Sequence, residues 1–227
     1  GSYLTEQAKI SKLFSYALFA IGGLGLIYSI FSFNFGLIFI LAIILHFGGF
    51  FFNKYANYSK GFESEKIVTK YLKNLSDEYY LINDVKIPDS NGNVDHIILG
   101  PNGIFVIETK GFEGLITCNG DKWYQYKQEW KNPEFYERKS ASIHIKFNAL
   151  RLKKFIESKN FFKKPLKIWI EGVVVFTNKD VRLKLNKSTV TVLKITDLVR
   201  YIKYKKSKLT FSSQELESIG KAILDWV

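Results

Sequence analysis

The chain has 227 residues, of which 47% are hydrophobic and 16% aromatic, enough for one moderate domain with its own core plus a further apolar segment. A formal net charge of +12 suits nucleic acid or an anionic membrane surface, without choosing between them. Cys118 is the only cysteine, which excludes an intramolecular disulfide and a cysteine-based zinc site.

In chain order, Gly1-Ser2 reads as a cloning remnant in place of a native start. From Leu13 through Asn53 no residue is charged, and Phe, Leu, Ile, Ala and Gly dominate. A bilayer core about 30 Å thick takes roughly 20 apolar residues per helix, so the run fits two spans, about 13–31 and 33–52, reversing at Ser32 and Asn34. A buried helical hairpin, a signal peptide over the first half and a re-entrant hairpin are the competing readings. The second apolar run following at once argues against the signal peptide. Lys9 and Lys12 precede the first span, Lys54 and Lys60 follow the second, and the turn between carries no positive charge. The positive-inside tendency therefore puts both ends in the cytoplasm, as a two-span protein of the cell membrane. His46 is read as an interhelical hydrogen-bonder, and Gly22, Gly23, Gly25, Gly48 and Gly49 as points of close helix contact. The four lysines before Gly61, set against Glu6, leave +3 there and +9 beyond. The organisation expected is 1–60 as anchor and linker and 61–227 as a cytoplasmic domain.

After the polar linker NKYANYSK, the stretch GFESEKIVTKYLKNL spaces Phe62, Ile67, Tyr71, Leu72 and Leu75 as an amphipathic helix. YYLINDVKIP reads as a strand stopped by Pro88, followed by the turn-rich DSNGN. Asn91 to Gly111 reads as a hairpin, and GLITCNGDKWYQY as a ribbon turning at Asn119-Gly120. A long basic helix is expected over about 137–159, buried strands at IWIEGVVVFTN and STVTVLKI, and two closing helices, the last opened by a capping box of Ser212 and Glu215. Strands flanked by helices give an α/β domain with a mixed central sheet.

With the hairpin turning on Pro101 and Asn102, Gly100 faces Gly103 and the pairing runs back until Asp95 faces Glu108. Directly opposed carboxylates destabilise a sheet, so something must compensate. Alternation puts Asp95, Glu108 and Lys110 on one face at the open end. Hard oxygen ligands on rigid strands suit Mg²⁺ or Mn²⁺, with the Thr109 carbonyl as a further ligand, and a protonated Lys110 beside them stabilises charge on a phosphate. A structural ion pair of Lys110 with a carboxylate explains the same spacing, which by itself leaves both readings open.

Asp95, twelve intervening residues and then Glu108-Thr109-Lys110 resembles the PD-(D/E)XK nuclease core. GFESE, VDHIILGPNGIFVIETKG with Gly114, then Asn132-Pro133 and His144 together resemble the nuclease-related domain, NERD, over Gly61 to about Phe176. The resemblance implies that Asp95 and Glu108 bind a divalent metal, that Lys110 helps to activate water, and that Glu65 on the first core helix assists. It also implies that DNA is the substrate. Read without it, Glu65 is an ordinary solvated helix residue. Two positions depart from the family pattern: Ser64 stands for its second glycine, and Ser140 for a glutamine four residues before the histidine. His144 reads as a helix residue hydrogen-bonded under the sheet.

Lys146, Arg151, Lys153 and Lys154, with Lys159, Lys163, Lys164 and Lys167, face only the acid Glu157 over their stretch. Phosphate contacts by such residues give sequence-independent, salt-sensitive binding, anionic headgroups would serve as well, and a solvated helix face is the plain alternative. Tyr124, Tyr126, Trp123 and Trp130 could stack on unpaired bases, with Trp123 expected in the core and Trp130 nearer solvent. The reading is therefore a membrane-anchored, metal-dependent nuclease whose partners are nucleic acid, the lipid bilayer and, for self-association, a further copy of the chain. The rival readings are a non-catalytic binding module on the same fold and an assembly factor acting through its apolar hairpin.

Overall fold

The computed structural model describes residues 2–32, 35–87, 93–128, 133–159, 161, 167–207 and 209–226. Asn34, Pro88, Trp130, Asn132, Lys163, Lys164 and most of the DSNGN turn lie outside them. The chain divides into two units, Gly1–Glu63 and Ser64–Val227.

The first unit is built on helix α1, Ser2–Phe31, and most of α2, Phe35–Leu72. Both are long and apolar enough to cross a membrane by length and composition, and only 17% and 11% of their most apolar windows are buried. They run antiparallel against each other. Ser15 Oγ donates to the Gly48 carbonyl at 3.0 Å, Phe14 stacks on Phe51, and Gly22, Gly25 and Gly48 lie against Leu45, Leu41 and Phe19. Gly23 and Gly49 face no such neighbour. His46 lies on the exposed side with its ring against Phe47, so the interhelical role expected for it is not the one it has. The polar stretch expected to be a linker is helical, because α2 continues through it to Leu72 without a Pro or a turn signal.

The second unit begins in the last turns of α2 and holds two sheets. The five-stranded sheet runs in the order β1-β2-β3-β7-β9, where β1 is Tyr80–Val85, β2 Val94–Gly100, β3 Gly103–Lys110, β7 Ile170–Phe176 and β9 Thr191–Lys194. Its first three strands are antiparallel, whereas β3, β7 and β9 are parallel. The hairpin has the register read from the sequence, Gly100 opposite Gly103 through His96 opposite Ile107. Gly103 takes φ +147°, which L side chains rarely adopt, so the turn needs glycine there. Asn102 pins that turn: its amide donates to the carbonyls of Ile202 (2.7 Å) and Lys205 (3.1 Å), and its oxygen accepts from the Tyr79 hydroxyl.

Alternation sends the two sides of this sheet into separate cores. Ile97, Leu99, Ile104 and Val106 pack with Ile145, Leu152 and Ile156 of α3, Ala141–Ser158, and with Ile219 and Ile223 of α5, Ser213–Trp226. Ile98, Phe105 and Ile107 pack with Val68 and Leu72 of α2 and with Leu198 and Ile202 of α4, Ile195–Tyr204. Each such side chain contributes about 1.5–3 kcal/mol on burial. The result is the mixed α/β, nuclease-like fold expected.

A second, four-stranded sheet, in the order β6-β5-β4-β8, was not expected. It contains β4 Leu115–Asn119, β5 Lys122–Gln128, β6 Pro133–Arg138 and β8 Arg182–Asn186. The β4–β5 turn is Gly120-Asp121, one residue later than read, with Gly120 at φ +60°. The helix expected from 137 starts at Ala141, because Glu137 and Arg138 pair with β5, and Ser140 caps α3 by accepting the Ile143 N–H. The strand expected over STVTVLKI shortens to β9, since Ile195 opens α4. The Ser212–Glu215 capping box is present in reciprocal form before α5.

Candidate active site

The carboxylates meet where β2 begins and β3 ends. The ladder stops at His96 opposite Ile107, and one step beyond it Asp95 Oδ2 accepts the Thr109 N–H at 2.6 Å, a side chain taking over a donor from the ladder. Glu108 is 4% exposed. Its Oε1 accepts from Lys110 Nζ at 2.5 Å, and its Oε2 lies 3.0 Å from His144 Nδ1 on α3. Lys110 is held in turn by the strand that flanks it, since Thr177 N–H donates to the Lys110 carbonyl just past β7. Gln125, buried in β5, donates to the Glu113 carbonyl and accepts from Arg138, tying the loop after Lys110 to the second sheet.

The electrostatics follow from this packing. Burial and the charge of Glu108 push the Asp95 carboxyl well above the usual carboxylate range, and Lys110 and the Thr109 N–H only partly offset them. Burial alone would raise Glu108 too, but Lys110 and His144 hold it at about 2. Lys110, for which burial would favour the neutral amine, is kept protonated by Glu108 and Asp95, with Glu65 adding to them. The cluster thus sets an Asp95 carboxyl of weakened acidity beside an ionised Glu108 and an ionised Lys110. Glu65, half-buried on α2, has its carboxyl raised by burial and by the charges of Asp84 and Glu108.

A divalent ion fits this donor set in one manner only. Among the described residues no three His, Cys, Asp or Glu side chains converge as a metal cage. Two crowded carboxylates, one of them weakened as an acid by burial, suit an ion that takes one or two carboxylates and fills its shell with water and phosphate oxygens, as Mg²⁺ and Mn²⁺ do. Asp95, Glu108 and the Thr109 carbonyl would hold it. Among the described residues the buried Thr109 hydroxyl finds no hydrogen-bond partner.

Glu65, Asp95, Glu108 and Lys110 are thus electrostatic neighbours. The four basic residues assigned to nucleic acid are not one patch. Lys146 is bound to Asp121 at 2.9 Å and to Thr189 at 3.0 Å, and Lys153 lies 3.8 Å from Glu157. Arg151 is half-buried and Lys154 exposed. At about 100° per residue, Arg151 is turned about 140° from Lys146 around the helix. Trp123 is in the core as expected, with its Nε1 donating to Ser142 Oγ.

Two residues near the acids were not singled out for this site. His144, read as a packed helix residue, touches Glu108 from 36 positions away, and only the tertiary fold reveals that. Asp84 sits at φ +57°, accepts from Asn93, and lends negative charge to Glu65. No local pattern marks it beyond Asn-Asp within a strand.

The sequence model of a family described as NERD: Nuclease-related domain matches residues 60–177. An uncharacterized protein of Bacillus anthracis is 32% identical over 84 residues, 33% of this chain and 40% of that protein. The chain thus spans about two fifths of the length of that relative. No solved structure matches the chain.

Proposed function

The chain belongs to the nuclease-related domain family, whose match covers more than half of it, and from that premise we propose that it is a divalent-metal-dependent nuclease that hydrolyses DNA phosphodiester bonds at the cytoplasmic face of the cell membrane. One observation carries the proposal: two crowded carboxylates, Asp95 and Glu108, share the end of a rigid hairpin with the Lys110 ammonium. Two largely unburied helices of spanning length support the anchor, with 1–60 as anchor and 61–227 as the cytoplasmic domain.

Bound Mg²⁺ or Mn²⁺ would supply Lewis acidity and a water of lowered pKa. The chain's own groups do the rest. Lys110 and His144 fix the buried Glu108 carboxylate, one at each oxygen, and so hold its orientation at the strand end. Burial weakens the acidity of Asp95, so a cation there would be held more tightly at higher pH, where the carboxylate is ionised. Lys110 keeps a full positive charge where a phosphate would gain negative charge. Glu65, with its raised carboxyl, is suited to accept a proton from water at the edge of the site.

A second reading, a non-catalytic module that binds nucleic acid or protein, is favoured by the fact that Lys110 and His144 already neutralise Glu108. Cleavage of supercoiled, linear and single-stranded DNA and of RNA by the detergent-purified chain, with Mg²⁺, Mn²⁺ or EDTA, separates the two. Asp95→Asn replaces the buried carboxyl by a neutral isostere and should leave the fold intact while abolishing metal-dependent cutting. Nucleic acid bound but never cut, with no change in Asp95→Asn, would give the module reading the lead.

A further inference from the structure

The four-stranded sheet has one face in the core and one in solvent. Ile116, Cys118, Trp123 and Gln125 point inward and are buried. The alternate residues point outward and form rows across the strands. In the first row Phe135 pairs with Tyr126, Tyr126 with Leu115, and Leu115 with Arg182; in the second, Glu137, Tyr124, Thr117 and Lys184 follow in the same order. Phe135 is 54% exposed and Tyr126 36%. The Phe135 ring stacks on Tyr124 at 5.0 Å between centroids and meets Tyr126 edge-on at 5.0 Å. Lys122, Arg182 and Lys184 are exposed on the same face, against the single carboxylate Glu137.

We propose that this face is a platform for single-stranded nucleic acid, with bases stacked on Phe135, Tyr126 and Tyr124 and the backbone running toward Arg182 and Lys184. Strands lie about 4.8 Å apart, so the basic edge stands about 10 Å from the Tyr126 and Tyr124 strand, a lateral offset that lets rings take bases while cations take phosphates. Unpaired bases offer flat faces to aromatic rings, and a duplex hides them. Thr117, Asn119, Lys122, Glu137 and Lys184 are polar and Leu115 is half-buried, which fits a sugar-phosphate chain better than acyl chains. Chain connectivity limits the distance from the face to the acid cluster. Leu115 follows Lys110 by five residues, so their Cα atoms lie no more than about 18 Å apart. The inference deepens the nuclease reading and rests on it only for the expectation that the bound strand is also cut.

The test measures binding without cleavage. The full chain in phosphatidylcholine nanodiscs, in EDTA, is titrated against a fluorescent oligo(dT) of about 15 nucleotides and against a duplex of equal length. Tyr126→Leu and Phe135→Leu keep apolar bulk at exposed positions while removing the ring. Each should weaken oligo(dT) at least about fivefold and leave the duplex unchanged. Arg182→Ser and Lys184→Ser should each reduce the slope of log affinity against log salt by about 0.7. Absence of oligo(dT) binding by the unsubstituted chain, or indifference to all four substitutions, overturns the platform. So does amide protection of β5 and β6 that appears only in discs containing phosphatidylglycerol, with oligo(dT) binding unaffected by the four, which would make the face a membrane contact. Ring-dependent binding by a chain that cuts nothing with Mg²⁺ or Mn²⁺ supports the platform and removes the nuclease reading alone.

Discussion

In the five-stranded sheet β2, β3 and β7 are closed in on both faces, whereas in the four-stranded sheet buried side chains alternate with partly or fully exposed ones along β4 and over 122–126 of β5. The first arrangement leaves no room for a charge except at a strand end, and there Asp95, Glu108 and Lys110 must neutralise one another. The second tolerates rings and cations on its outer side at little cost. Groups that need a dry, fixed setting are found in one sheet, and groups that must meet a long ligand in the other.

The sharpest way to break that contrast is to remove a ring from each sheet. Phe105→Ala should cost about 3–5 kcal/mol, because Phe105 is 1% exposed between α2 and α4, while Phe135→Ala should cost under about 1 kcal/mol. Denaturant midpoints measure both, and equal losses would mean that the outer face of the second sheet is covered. Next, Lys110→Met removes the cation from a buried acid pair. A loss of about 3 kcal/mol is expected, with cleavage falling about 10²–10³-fold, whereas Lys184→Ser should stay within about 0.5 kcal/mol.

A third measurement uses pH. His96, 1% exposed on the side of β2 opposite Asp95, has its pKa lowered by burial to about 4 from 6.5. The unfolded chain therefore binds the extra proton between these values, and the contribution of His96 to stability is lost as pH falls through that window. Asp95, raised in the fold, works in the opposite sense, losing stability as pH rises. The quantity to follow is thus the stability difference between the unsubstituted chain and His96→Asn, which should shrink by up to about 3 kcal/mol from pH 7 to pH 4. A flat difference would show that His96 is accessible to protons in the folded sheet. The smallest effect belongs to the boundary between the two sheets: Ser140→Ala, which uncaps α3, should cost about 1 kcal/mol in thermal or denaturant melts.

The same contrast explains what the sequence discloses. The closed sheet is legible because its strands are long apolar runs. The hairpin register, the division of Ile97 from Ile98 between two cores and the meeting of Asp95 with Glu108 all follow from a turn and a period of two. The open sheet is less so. Arg182–Asn186 has the short, exposed pattern of an edge strand, which resembles a loop, and Glu137-Arg138 looks like the start of the helix that Ser140 in fact begins. Phe135 went unnoticed beside Tyr124 and Tyr126 because its partners lie across a strand pair. Ser140, where the family carries a glutamine, has a plain local purpose as a helix cap. His144 was visible as a residue and invisible as a neighbour of Glu108, since contact across 36 positions leaves no local trace.

The pin at Asn102 has a consequence in time. The acids and their partners, from Glu65 to His144, are all synthesised before Ile202 and Lys205, whose carbonyls secure the far end of the hairpin. The family match, too, ends at residue 177, ahead of α4. A chain growing from its N-terminus therefore makes the acid cluster early and fastens it late. Until α4 emerges from the ribosome, Asp95 and Glu108 are kept in step by β1, β7 and His144, without the fastening at Asn102.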